Sequence, residues 1–168
     1  MTRQGVASDI PGFRRASAQA PSPFAEAVKF MGGKKVFAGG VASASDIHDQ
    51  IIRGIPAAAL IHMVASVHRL RPEQVGSAVG VSVRTLQRRR RDATERPLSV
   101  EQGDRAWQFA ELLVKASRVL GSQEEAERWF DTPAMALDQK RPLELLTSSV
   151  GARMVDQLLT RIDHGVYT

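Results

Sequence analysis

Four polar side chains between positions 84 and 91 have the types and the spacing needed to contact a nucleic acid. Arg84, Gln87, Arg88 and Arg91 recur at i, i+3, i+4 and i+7, so they share one face if the segment is an α-helix. Guanidinium groups bind phosphates and guanine edges through paired hydrogen bonds, and a glutamine amide can pair with adenine. The pattern therefore predicts a helix that enters the major groove of DNA.

A preceding short helix and a tight turn must position this face. Pro72 suits a first helical turn, Val75 and Val79 repeat at i, i+4, and Gly80 suits the residue where a helix stops and the chain turns sharply. Gly76 provides the small residue that two closely crossing helices require. The segment from 71 to 92 therefore predicts a helix-turn-helix motif.

The second helix of this motif needs its own start and its own buried edge. Ser82 can N-cap it, and we expect Val83 and Leu86 to face the interior. Arg89 stands where many such motifs place an aliphatic residue. An alternative interpretation remains open, in which the arginines at 89–91 form a solvated basic helix end that complements the helix dipole.

Composition and charge limit the classes of protein that this chain can represent. Its 168 residues are 43% hydrophobic, enough for a folded core, and the absence of cysteine excludes disulfides and cysteine-based chemistry. Residues 98–168 carry 8 basic and 11 acidic side chains, a net charge of −3, whereas residues 1–97 carry +8. A polyanion is therefore expected to meet the first part of the chain, and the second part has the mixed surface of a protein contact.

Nothing in the sequence predicts a membrane segment or an exported protein. No apolar run approaches the roughly 18 residues of a membrane span, and the first residues lack the apolar region of a signal peptide. We therefore expect a soluble, cytoplasmic protein.

Catalysis and cofactor binding are not predicted either. The four histidines are scattered without metal-ligand spacing, no glycine loop could cradle a phosphate, and Ser148 and Ser149 lack a placed base. The prediction is a protein without enzymatic activity, cofactor or metal.

The remaining segments favour helix, so the predicted fold class is all-α. Residues 1–42, rich in glycine, alanine, serine and proline, are expected to be mostly mobile, with one amphipathic piece around Phe24 to Met31 that can dock. Residues 43–97 form the predicted DNA-binding domain, and 98–168 a second helical domain. The helix starts are assigned to the N-caps Ser45, Ser99, Ser122 and Ser149.

The second domain resembles the Xre/MbcA/ParS toxin-binding domain of bacterial antitoxins. The resemblance rests on the order and spacing of Leu98-Ser99, Trp107, Ala126, Trp129-Phe130, Thr132-Pro133, Arg141-Pro142-Leu143, Gly151, Val155, Leu158, Ile162 and Gly165-Val166-Tyr167. The segment from Arg84 to Arg89 is similar to the DNA-reading helix of the same family, including its arginine in place of an aliphatic. The chain departs from the family at 138–141, where Asp138-Gln139-Lys140-Arg141 replaces a loop that commonly contains glycine, and at Trp129-Phe130, where Trp-Leu is usual.

The resemblance implies an antitoxin that binds a RES-domain toxin, an enzyme that consumes NAD or transfers ADP-ribose from it, and that represses its own operon. The predicted DNA contacts are Ser82, Arg84, Thr85, Gln87, Arg88 and Arg91. The predicted toxin contacts are Arg141, Arg153, Arg161, Gly165, Val166 and Tyr167. We expect the end of the last helix and the tail after it to act as a wedge at the mouth of the toxin's cleft.

Two other functions remain compatible with the residues. A stand-alone helix-turn-helix regulator would use the second domain only for dimerisation or effector sensing, and a protein adaptor would leave the arginines solvated. Because helix-turn-helix proteins usually read two half-sites about one DNA turn apart, a homodimer bound to operator DNA is expected.

Overall fold

The computed structural model describes residues 21–91 and 96–165, without the side chain of Arg90. Helices account for the regular structure in these ranges: Pro23–Phe30 (α1), Ala44–Arg53 (α2), Ala57–Ser66 (α3), Pro72–Val79 (α4), Val83–Arg91 (α5), Val100–Leu120 (α6), Gln123–Phe130 (α7), Pro142–Leu145 (α8) and Ser149–Asp163 (α9). Short 3₁₀ turns span Gly33–Lys35 and Met135–Leu137. The all-α prediction is confirmed, since the one extended pairing within the described ranges is an isolated bridge between Ala134 and Lys140. None of the described helices combines the length and the apolarity that crossing a bilayer requires.

The long helix α6 lies at the centre of the described structure. It packs against α1, α2, α4, α7 and α9, and its inward residues Ala106, Phe109 and Ala110 have no solvent exposure. The Phe109 ring lies 6.2 Å from that of Phe30 and 6.1 Å from that of Phe130, measured between centroids. One helix therefore carries the core of the helix-turn-helix unit and that of the second unit.

The amphipathic piece around Phe24 to Met31 docks as expected, and the ordered segment extends beyond it to Phe37. Helix α1 docks on α6 through Phe24 and Trp107, whose ring centroids are 5.2 Å apart, and Ala27, Met31 and Phe37 are buried. The physical reason is the apolar spacing of i, i+3, i+4 and i+7 within α1, which outweighs the surrounding glycine and proline. Residues 1–20 lie outside the described residues.

Two helix starts differ from the prediction by one or two residues. The N-cap of α2 is Ser43 rather than Ser45, because Asp46 at the third helical position accepts from the Ser43 N–H at 3.0 Å while its own N–H donates to Ser43 Oγ at 3.2 Å. The N-cap of α9 is Ser148 rather than Ser149, and its hydroxyl accepts from the Gly151 N–H at 3.0 Å. Ser99 and Ser122 act as the predicted N-caps of α6 and α7.

Candidate functional site

Helices α4 and α5 meet at a tight glycine turn. Gly80 has φ 80° and ψ 31°, a left-handed conformation that favours glycine, and the Val81 N–H donates to the Gly76 carbonyl at 2.7 Å. A Cβ on Gly76 would lie 3.1 Å from the Val81 carbonyl oxygen and 3.5 Å from Leu86, so the two helices cross where only a small residue fits well. Val81 is buried and fills the angle between them. These contacts are the predicted helix-turn-helix geometry.

The start of α5 is held by Ser82. Its Oγ accepts from the Thr85 N–H at 3.2 Å, and its hydroxyl donates to Thr85 Oγ1 at 3.0 Å. Leu86 is buried as predicted, but the expectation that Val83 is buried is wrong, because 41% of this residue is exposed. Val83 occupies the first turn, where α5 has not yet come against the body of the protein.

The predicted DNA-contacting face of α5 points outward. Arg84, Gln87, Arg88 and Arg91 are all exposed, and neither Arg84 nor Arg88 forms an ion pair with any described residue. Thr85 is half-buried and Ser82 is exposed, with both hydroxyls already joined in the cap. The structure therefore brings the six predicted residues onto one short helix and its N-cap, with the charged ones free to meet a partner.

Arg89 turns away from that face. Its Nη1 is buried and has no hydrogen-bond partner among the described residues, and burial lowers the pKa of its guanidinium, with a further lowering from neighbouring Arg88. Arg89 thus occupies the inward position that the sequence pattern gives to an aliphatic residue. The solvated helix end proposed as an alternative does not describe this residue.

Helix α9 has one face in the core and one in solvent. Val155, Leu158 and Leu159 are buried, and Arg153 and Arg161 lie on the exposed side. Gly151 lets α9 approach α8 closely, since a Cβ there would lie 2.1 Å from the Leu145 carbonyl oxygen.

The end of α9 redirects the chain. The His164 N–H donates to the Thr160 carbonyl at 3.1 Å, and Gly165 follows with φ 67°, the left-handed conformation that commonly ends a helix. Gly165 is exposed, so the predicted wedge starts at the surface. Val166 and Tyr167, the predicted contacts of the tail, lie outside the described residues.

A polar groove runs between α1, α6 and α9. Lys115 Nζ lies 2.5 Å from Asp156 Oδ1 and donates to Thr160 Oγ1 at 2.7 Å, which ties α9 to α6. Burial raises the pKa of the Glu111 carboxyl in this groove, and the nearby negative charge of Asp156 raises it further. Arg153 lines the same groove.

Arg141, the remaining predicted toxin contact, lies elsewhere. Its Nη1 donates to Asp131 Oδ1 at 3.4 Å, and the same oxygen accepts from Gln74 Nε2 of α4 at 2.8 Å. Arg141 thus borders a small groove that it shares with Arg71 of the helix-turn-helix unit. The structure separates it from Arg153 and Arg161.

The loop before α8 has an unusual backbone. Asp138 and Gln139 both have left-handed backbones, with φ 55° and φ 59°, the conformation that glycine adopts without strain. Two residues with side chains therefore hold a glycine-like conformation in the loop where the resemblance leads one to expect glycine.

Sequence reasoning missed Glu127. Glu127 was given no role from the sequence, yet its side chain is completely buried between α7 and the loop before α4. The available signal was its spacing: Glu127 follows Gln123 by four residues and precedes the buried Phe130 by three, so it lies on the inner face of α7.

Comparison with known proteins agrees with this geometry. The profile of the antitoxin Xre-like helix-turn-helix domain matches residues 46–111, and that of the antitoxin Xre/MbcA/ParS C-terminal toxin-binding domain matches residues 115–165. Antitoxin Xre of Pseudomonas putida is 28% identical over 127 residues, which cover 74% of this chain and 76% of that protein. Antitoxin Xre of Yersinia enterocolitica is 31% identical over 109 residues, which cover 64% of this chain and 70% of that protein.

The fold and the exposed basic helix define a helix-turn-helix protein with an added helical domain. The two matched domains and the two relatives identify it further: the chain belongs to the Xre family of antitoxins, whose members combine a helix-turn-helix domain with a toxin-binding domain.

Proposed function

We propose that this antitoxin binds and occludes a RES-domain toxin that consumes NAD or transfers ADP-ribose, and that it represses its own operon as a DNA-bound homodimer. Residues 43–97 would serve DNA binding and 98–168 toxin binding. The proposal that the chain binds DNA rests on the outward face of α5. This face exposes four polar side chains on one helix: Arg84, Gln87, Arg88 and Arg91.

The chemistry of that face supports operator recognition. The bidentate donors of arginine match the O6 and N7 acceptors of guanine, and the Gln87 amide matches adenine. The same side chains also neutralise phosphates, and each neutralised phosphate contributes about −0.9 to the slope of log K against log salt. In a homodimer, two copies of α5 would read half-sites spaced by about one DNA turn.

Toxin binding is assigned to the outer face of α9 and to the tail after it. Arg153 and Arg161 are exposed on α9, and Gly165, the last described residue, is exposed and has a left-handed backbone. A RES-domain toxin must admit an anionic dinucleotide, so a helix end that carries the exposed guanidinium of Arg161 and a short tail is suited to block that cleft. Arg141 remains a proposed contact, with its guanidinium already bonded to Asp131.

Co-expression with the product of the adjacent gene tests the proposal. We expect that product to arrest growth alone, to lose toxicity when this chain is present, and to co-purify with it. A neighbour that is harmless and does not co-purify would instead favour a stand-alone transcription regulator.

Removing residues 166–168 tests the wedge. We expect the shortened chain to lose toxin neutralisation and to bind DNA as before, because α5 lies in the other unit. A matched chain lacking only Thr168 is expected to neutralise normally. If removal of all three residues left neutralisation and complex affinity unchanged, the wedge would be rejected.

A further inference from the structure

A carboxylate of the toxin-binding unit is buried against the backbone of the DNA-binding unit. Glu127 on α7 has no solvent exposure. Its Oε2 accepts three backbone N–H groups, from His68 at 2.8 Å, Arg69 at 2.6 Å and Leu70 at 3.2 Å, and its Oε1 accepts from Gln123 Nε2 at 2.7 Å. Three donors from the DNA-binding unit and one from α7 itself therefore converge on one carboxylate.

The three amides belong to the loop that starts the helix-turn-helix motif. Helix α3 ends at Ser66, and Pro72 begins α4. The Ser66 carbonyl accepts from Gln123 Nε2 at 2.7 Å, so α7 binds the loop at its beginning as well. Because these backbone groups would otherwise lack partners inside the protein, α7 determines the path of the chain into α4.

Further contacts extend this seam, which we define on the α7 side as Gln123, Glu124, Glu127 and Asp131. Asp131 Oδ1 accepts from Gln74 Nε2 of α4 at 2.8 Å, and Arg69 lies 3.8 Å from Glu124. The exposed ion pair contributes little stability on its own. Together, the contacts hold the loop before α4 and the first turn of that helix.

A stabilising role alone would not require a carboxylate at position 127. Burying a charge costs free energy unless donors surround it, and apolar residues of similar volume often stabilise a core equally well. The carboxylate also restricts the conformation of the loop. Three N–H groups can donate to one oxygen in only a narrow range of loop conformations.

We propose that Glu127 is a positioning residue for sequence-specific DNA recognition. The proposal rests on the DNA binding put forward above. Because α5 crosses α4 in close contact at Gly76 and Leu86, a change in the entry to α4 moves α5 with it. Long arginine side chains adapt their phosphate contacts to such a movement, whereas hydrogen bonds to base edges do not.

The test compares two variants with the same change of charge on the same helix. Glu127→Gln weakens the carboxylate's bonds to the loop. Glu125→Gln is the matched control, because Glu125 is exposed and its carboxylate pairs with Arg128 within α7 at 3.1 Å. Each full-length chain is titrated with a duplex that the wild type selects from a random library, and with a scrambled duplex of the same length and composition. Circular dichroism at the assay temperature verifies that each variant is folded.

We expect Glu127→Gln to lower affinity for the selected duplex by about tenfold relative to Glu125→Gln, the scale of one lost base contact. Affinity for the scrambled duplex is expected to agree between the variants within about twofold, since the phosphate contacts remain. Equal losses on both duplexes, or no loss on either, would overturn the positioning role. Failure of the wild type to select any sequence would instead contradict DNA binding itself.

A second variant keeps the test decisive if Glu127→Gln does not fold. Asp131→Asn weakens an exposed part of the same seam, at the Gln74 contact, with little expected effect on folding. We expect it to lower the ratio of selected to scrambled affinity by about threefold, a fraction of the cost of a lost base contact. An unchanged ratio in the folded Asp131→Asn chain would reject the proposal.

Discussion

Helices α5 and α9 each present arginines to solvent, but their surroundings differ. Helix α5 contains five arginines and no carboxylate, and its main apolar anchor is Leu86. Helix α9 balances Arg153 and Arg161 with Asp156 and Asp163, and its buried face extends along its length. A uniformly cationic helix suits a polyanion, whereas a neutral, firmly packed helix suits a protein surface.

The comparison shows that arginine spacing alone does not identify a partner. Carboxylates next to the arginines determine whether the electrostatic potential of the helix favours phosphate. The apolar contacts of the helix determine how rigidly its exposed face is held. Each of the following changes alters one helix and uses the other, or a matched site, as a reference.

Gly151→Ala should have the largest effect on stability, because the added methyl group forces α9 away from α8. The new Cβ would lie 2.1 Å from a backbone oxygen of Leu145, which cannot move as a side chain can. We expect the free energy of unfolding to fall by about 3 kcal/mol, the upper part of the usual range for overpacking, despite the better helix propensity of alanine. Denaturant titration measures the change.

Gly39→Ala is the reference for this substitution, since no atom lies within 4 Å of a Cβ at Gly39. It should change stability by less than about 0.5 kcal/mol, as surface substitutions usually do. Equal stabilities of the two variants would show that the contact between α8 and α9 is looser than described.

Arg88→Ala should have the next largest effect, and on α5 alone. If Arg88 contacts a base, we expect DNA binding to weaken by about 1–3 kcal/mol. The slope of log K against log salt should change little, because most of the phosphate contacts remain. Arg153→Ala removes the same side chain from α9 and should leave DNA affinity within about twofold, because a single distant surface charge is largely screened. Fluorescence anisotropy at several salt concentrations distinguishes the two. Unchanged affinity of Arg88→Ala at low salt would remove Arg88 from the interface.

Glu111→Gln should have the smallest effect and tests the groove beside α9. Because the folded state raises the pKa of Glu111, the ionised carboxyl destabilises the protein at neutral pH, and this penalty disappears as pH falls below the carboxyl's pKa in the unfolded chain. The variant should therefore melt slightly higher than the wild type at pH 7 and no higher near pH 3. The residue keeps contact with solvent at the edge of the groove, so solvent screening keeps the difference small. A higher melting temperature only at acid pH would contradict the assigned direction.

Several features of the fold and of the DNA-contacting face were predictable from local sequence. Gly80 has the left-handed backbone of the sharp turn predicted there, and Ser99 caps α6 as predicted. These features depend on residues a few positions apart, so their physical cause lies within the sequence window that defines them.

The misplaced features depend on more distant partners or on competition between neighbours. Ser43 and Ser45 are both suitable caps, and the position of Asp46 decides between them. The toxin contact at Arg141 stays a prediction, and the bond of its side chain to Asp131 beside α4 lies outside any single helix. Helical periodicity carries no information about that bond.

Local sequence was sufficient to predict the helices, their main stops and the cationic face of α5, because capping, helical periodicity and charge act over one or two turns. The partner of α1 in the core, the inward position of Arg89 and the contact of Glu127 with the other unit became known from the folded chain. Each of those outcomes needs a partner from another part of the chain. For Glu127, the partner is the backbone of a loop 57–59 residues earlier, whose N–H groups are identical in every sequence.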